Sequence, residues 1–148
     1  MKLLRVLAEL HVFEGRVNRA QPLRLGLELD EGRFLRVRER RGDHVGFDDG
    51  PLQPADLGEG GSVEVHDISL RLGPELAGSD LERITTVEDG EGHTIGLALW
   101  GSEGVPFYIW IEDDEFQWGS EEALDEALAD RGAVRAAGRE LLPGPGRD

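Results

Sequence analysis

The sequence predicts a mainly β protein: an antiparallel sandwich or open barrel of about eight strands with one helix near the C-terminus. Three observations carry that expectation. Apolar residues recur at every second position over much of the chain, Gly, Asp and Pro clusters interrupt these runs at short intervals, and a single segment joins a helix cap to a helical apolar stripe.

Taken in order, Leu4, Val6, Ala8, Leu10 and Val12 alternate with Arg5, Leu7, Glu9, His11 and Phe13, which predicts a long strand ending at Gly15, with a helix through Leu3, Leu7 and Leu10 as the alternative. Leu23, Leu25, Leu27 and Leu29 form one face opposite Arg24, Gly26, Glu28 and Asp30. The turn signal Asp30-Glu31-Gly32 then leads into Phe34-Leu35-Arg36-Val37-Arg38, so residues 22–40 read as a hairpin. Residues 42–62 hold six glycines and two prolines. A structureless loop of that length is unusual in a compact domain, and a short strand is expected at Val45-Gly46-Phe47. Val63 and Val65 share one face, whereas Ile68, Leu70 and Leu72 fall on the opposite parity, which predicts a β-bulge near His66-Asp67.

Residues 81–88 and 94–100 flank Asp89-Gly90-Glu91-Gly92 and read as a second hairpin, with Ile95, Leu97 and Leu99 on one face. A third hairpin runs from Val105 to Trp118 around Asp113-Asp114. Its first strand is apolar on both faces, Phe107, Ile109 and Ile111 on one and Tyr108 and Trp110 on the other. Ser120 can accept the first free amides of a helix, Glu121 and Glu122 suit its positive end, and Ala123, Leu124, Ala127 and Leu128 supply a buried stripe, so residues 120–131 are expected to be helical. The expected organisation is one globular domain over 1–142 with a flexible Gly/Pro tail at 143–148.

Composition narrows function. The chain has no cysteine, which removes disulfides, thiolate nucleophiles and zinc-thiolate sites. No apolar run approaches the length of a membrane span, and Glu9 interrupts the N-terminal apolar run before a signal-peptide core is complete; a cytoplasmic protein is expected. The net charge of −15 is uneven: residues 1–41 carry ten Lys/Arg against six Asp/Glu, and residues 42–148 carry six against twenty-five. An acidic body repels phosphate backbones, so nucleic acid is excluded as a partner and a basic protein is favoured. Solubility alone also accounts for such acidity.

Motifs that would name a reaction are missing. The histidines at 11, 44, 66 and 93 match no metal-ligand spacing, although His44 beside Asp43 and His66 beside Asp67 could act together if the fold joined them. The acidic turns do not match a calcium loop, and neither a nucleophile elbow nor a phosphate-binding glycine loop occurs. No catalytic residue, metal ligand or cofactor is therefore assigned. Arg33, Arg36, Arg38, Arg40 and Arg41 form a basic cluster that Glu28 and Asp30 would neutralise across the hairpin. The candidate interaction residues are Tyr108, Trp110 and Trp118, large aromatics of the kind that anchor interfaces, with Asp113 and Asp114 in the turn between them. Tyr108 and Trp110 must be covered by the helix, by a ligand or by a partner, and burial beneath the helix, whose alanine and leucine stripe suits packing over bulky aromatics, is the expected default.

Pro106-Phe107-Tyr108-Ile109-Trp110-Ile111, the acidic turn and Phe116-Gln117-Trp118-Gly119 resemble the C-terminal aromatic hairpin and Trp-Gly ending of small bacterial immunity-like proteins from toxin–antitoxin loci. The resemblance covers about a tenth of the chain. It implies a cytoplasmic protein that binds and blocks a cognate toxin without catalysis of its own. Three functions remain open on the residues: a non-enzymatic acidic protein-binding module, a β-barrel holding a small apolar ligand among Trp100, Tyr108 and Trp110, and a metal-assisted hydrolase. If the strand and helix assignments hold, circular dichroism shows a strand-dominated spectrum with about one-tenth helix. A helix-dominated spectrum would refute the fold class.

Overall fold

A computed structural model describes residues 1–142; the flexible tail expected at 143–148 lies outside the described residues. The chain is 54 % strand and forms two antiparallel sheets, neither of which closes into a barrel. The described residues group into two compact units. One comprises Lys2–Glu39 with Gly46–Ser79; the other comprises Met1, Arg40–Val45 and the chain from Asp80 onward.

The first unit is built from β1 (Leu3–Phe13), β2 (Arg16–Val17), β3 (Arg24–Leu29), β4 (Phe34–Arg40) as far as Glu39, β5 (His44–Asp49) from Gly46 onward, β6 (Ala55–Asp56), β7 (Ser62–Asp67) and a single helical turn, α1 (Ser69–Leu72). Strand order is β5-β4-β3-β1-β7-β6, with β2 folded back on β1. The hairpin expected over 22–40 is β3–β4, and its buried face is Leu25, Leu27, Leu29, Leu35 and Val37. In β1 the alternation is broken once. A register shift between Leu3 and Arg5 leaves Leu4 and Arg5 both exposed and buries Leu3 and Val6.

Two expectations are corrected here. The parity change after Val65 is not a bulge: β7 ends at Asp67 and the chain turns into α1, burying Ile68 and Leu72 while Leu70 stays 81 % exposed. Asp67 drives the change, because its Oδ1 accepts from the amide (2.9 Å) and the hydroxyl (2.6 Å) of Ser69, and the same Ser69 Oγ accepts from Val6 N. These bonds to the ionised form hold the Asp67 carboxyl below its ordinary pKa. Nor is Glu28 the partner of the β4 arginines. It pairs with Arg5 of β1, while Arg36 reaches Asp48 of β5 at 2.8 Å and Arg33 reaches Asp30 at 3.6 Å. Glu9, buried on β1, receives two hydrogen bonds from Arg24, its cross-strand neighbour on β3. A carboxylate without water needs such a forked donor.

The second unit contains β8 (Leu81–Asp89), β9 (Thr94–Gly101), β10 (Pro106–Glu112), β11 (Glu115–Gly119), α2 (Glu121–Asp130), β12 (Arg135–Ala136) and β13 (Glu140–Leu142). The order is β11-β10-β9-β8-β12, with β13 also on β8. The second and third hairpins and the helix stand where the sequence placed them; β12 and β13 were not anticipated. Ser120 Oγ accepts from Ala123 N at the start of α2, and Gly132, at φ +69°, ends it in the left-handed conformation. Leu124 and Leu128 of α2 close over Tyr108, Trp110, Ala98 and Val87.

Cross-strand pairing makes room for the aromatics, since Tyr108 lies opposite Ala98 and Trp110 opposite Gly96. A Cβ on Gly96 would sit 2.1 Å from the Ile109 carbonyl oxygen and 2.8 Å from the Trp110 Cα. Backbone atoms cannot yield cheaply. Gly96→Ala is therefore expected to destabilise the protein by about 1–3 kcal/mol in chemical denaturation, the cost of overpacking; an unchanged midpoint would show that β9 and β10 can separate at this position.

Candidate functional site

The aromatic candidates separate into core and surface. Tyr108 and Trp110 are 3 % and 5 % exposed beneath α2, and Trp118, on β11, is half-buried. Tyr108 keeps its hydroxyl satisfied by Arg135, and burial pushes its phenol up, an effect the Arg135 charge opposes. Trp100 donates its indole N–H to Thr85 Oγ1 at 2.8 Å with the Arg83 guanidinium 4.5 Å over its ring. Tyr108 and Trp110 thus work as the cover and floor of a core and not as an exposed anchor.

Asp113 and Asp114 remain on the surface. With φ of 51° and 63° they form the two-residue turn between β10 and β11, a conformation that Asp tolerates better than most side chains. Their amides, at 3.1 and 3.0 Å, point into the two oxygens of Asp43. One carboxylate thereby fixes a turn that carries two more, and the two side chains are left facing water.

A second group of exposed acids lies on α2. Its ten residues include Glu121, Glu122, Asp125, Glu126 and Asp130 and no Lys or Arg. Arg135 of β12 neutralises one flank by pairing with Glu121 and, at 3.4 Å, with Asp125. The other flank is a row of like charges at i, i+4 spacing, Glu122, Glu126 and Asp130, all exposed and none in an ion pair among the described residues. Each such pair destabilises a helix by about 0.2–0.5 kcal/mol, and Asp130 also opposes the negative end of the helix dipole. Arg131, just past α2, donates to the Ile111 carbonyl at 3.2 Å and lies 4.0 Å from Asp43, which ties the end of the acidic helix to the acidic turn. Among its described residues this unit has six arginines against seventeen Asp and Glu.

The histidines are distributed unlike the sequence suggested. His66 faces Glu64 at 2.9 Å, and His11 lies 2.6 Å from the Gly60 carbonyl. His44 instead stacks on His93, with ring centroids 4.2 Å apart, beside the β8–β9 loop. Only tertiary structure could join residues so far apart in the chain. A hint did exist in the alternation Asp89, Glu91, His93, which places three metal-ligating side chains at every second position of one short loop. Asp89 is 6 % exposed there. Burial works to raise its pKa, but hydrogen bonds from the amides of His93 and Glu91 and from the His93 ring outweigh it and hold the carboxyl below its ordinary value.

Since Trp110 fills the space under α2, Trp110→Ala is expected to cost about 3–5 kcal/mol in thermal or chemical unfolding, through lost transfer energy and an unfilled cavity. A variant that melts like the wild type would place Trp110 outside the core.

No protein-family model matches this chain, and comparison with curated proteins and with solved structures likewise yields no match.

Proposed function

We propose that the protein is a non-enzymatic binding module whose acidic surface, the Glu122–Glu126–Asp130 row of α2 together with the Asp113–Asp114 turn, docks a basic protein. The observation that carries this reading is the unneutralised row. A helix that needed only solubility would gain stability from a Lys or Arg at one of the three positions, and α2 has none. A cationic partner would remove the repulsion on binding, speed its own arrival along the field of the surface, and lose affinity as salt rises. Asp113 and Asp114 are suited to this because their turn is already locked by Asp43 and needs no ordering on docking.

The specific form of the proposal, prompted by the aromatic hairpin and Trp-Gly ending, is an immunity-type inhibitor that acts in the cytoplasm on a basic toxin. The small-ligand alternative loses its support. A ligand-holding barrel needs a closed sheet, both sheets here are open, and Tyr108 and Trp110 are occupied by α2.

The test combines E122Q, E126Q and D130N in one protein. Stability is expected to stay level or rise slightly as the repulsion disappears. Binding to a labelled arginine-rich peptide, followed by fluorescence anisotropy at low salt, is expected to weaken by about tenfold or more, and the wild-type affinity to fall with added salt. Equal, salt-independent binding by both proteins would overturn the assignment.

A further inference from the structure

We propose that Asp89, Glu91 and His93 form a binding site for a divalent transition-metal ion, Zn²⁺ above all, at the edge of the cleft beside the β8–β9 loop. The site is separate from the acidic docking surface and does not depend on it.

One ligand atom from each of the three side chains lies within 4.8 Å of the other two. His93 Nδ1 stands 3.1 Å from Asp89 Oδ2 and 3.7 Å from Glu91 Oε2. Bonds of about 2.0–2.2 Å from one ion to nitrogen and oxygen put adjacent ligand atoms about 3–3.6 Å apart, so these spacings are close to what a metal imposes. The remaining adjustment falls to Glu91, whose side chain is 82 % exposed and free to swing inward. Two carboxylates balance a dication, and an imidazole nitrogen selects zinc and its neighbours over calcium and magnesium, which prefer oxygen alone.

The loop's own folding does not require this set. Asp89 Oδ1 is the turn-forming atom, accepting from Glu91 N and His93 N at 2.9 Å each, and this leaves Oδ2 aimed at the His93 ring. Neither the Glu91 carboxylate nor the His93 imidazole is needed to close the hairpin. His44, reached from the β4–β5 turn, stacks on His93 at 23° between ring planes, which fixes the orientation of that ring and brings a second imidazole beside the ion. The cleft these residues border has a volume of about 490 Å³ and is also lined by Gly132, Ala133 and Val134. Three protein ligands facing such a space leave coordination positions open to water or to a donor from another molecule. Arg131 also borders the cleft, but its guanidinium is engaged by the Ile111 carbonyl and Asp43.

The experiment titrates the purified chain with Zn²⁺ by calorimetry and follows the four histidine side chains by NMR. One ion per chain is expected, with the His93 and His44 signals shifting, those of His11 and His66 unmoved, and the melting temperature raised. Glu91→Gln should weaken binding by about tenfold or more and His93→Gln should abolish it, while both variants keep the wild-type circular dichroism spectrum because Asp89 still closes the loop. Three results would each overturn the proposal: no heat of binding with zinc in large excess, equal shifts at all four histidines, or unchanged affinity in a folded variant carrying both substitutions.

Discussion

The second unit depends on a strand that cannot show either face to water. β10 alternates Phe107, Ile109 and Ile111 with Tyr108 and Trp110, and a strand of that kind is stable only when both sides are covered. On the Tyr108–Trp110 side the cover is α2. The helix can lie close because its inward residues are small or medium, Leu124, Ala127 and Leu128, and because Gly96 and Ala98 on the neighbouring strand leave volume for the rings. Ser120, the Trp118-Gly119 ending of β11 and the left-handed Gly132 set where that helix starts and stops.

Once α2 is committed inward, its composition puts the charge outward. Leu124 and Leu128 claim one stripe, so the five acids have only the solvent side to occupy, and the i, i+4 geometry lines up Glu122, Glu126 and Asp130. The first unit handles its charge differently. Arg5 meets Glu28, Arg24 meets Glu9 and Arg36 meets Asp48, so three arginines of the basic N-terminal segment are spent on cross-strand pairs within its own sheet. What remains of the net −15 is concentrated on the second unit, where arginines are few and two of them, Arg131 and Arg135, serve as ties between elements.

Those ties show how a polar residue can be structural at one atom and exposed at another. Asp43 uses both oxygens to hold the Asp113–Asp114 turn, and Asp89 uses one to hold the β8–β9 turn and keeps the other beside His93. In each case a hairpin tip is rigidified by a carboxylate that accepts two amides. Side chains carried on such tips are pre-positioned, which suits recognition by the acidic turn and coordination by the Asp89 loop.

The mainly β class, the β3–β4, β8–β9 and β10–β11 hairpins and the one long helix were legible in the sequence, because side-chain period, turn residues and helix caps are local signals. The Ser69 turn was misread as a bulge, since parity alone cannot distinguish an inserted strand residue from a strand that ends; Asp67 turns the chain locally by accepting from Ser69, and Val6 N, 63 residues away in sequence, donates to Ser69 Oγ. β12 and β13 were invisible for a similar reason: two- and three-residue strands carry no period, and they exist because the open flank of β8 supplies their hydrogen bonds. The sequence by itself determined that Tyr108 and Trp110 must be covered and that the acids of α2 must face outward. Only the tertiary structure decided that His44 meets His93, that Glu28 belongs to Arg5, and that Asp43 anchors the acidic turn, because a contact between distant residues is set by strand order and register, which no local pattern encodes.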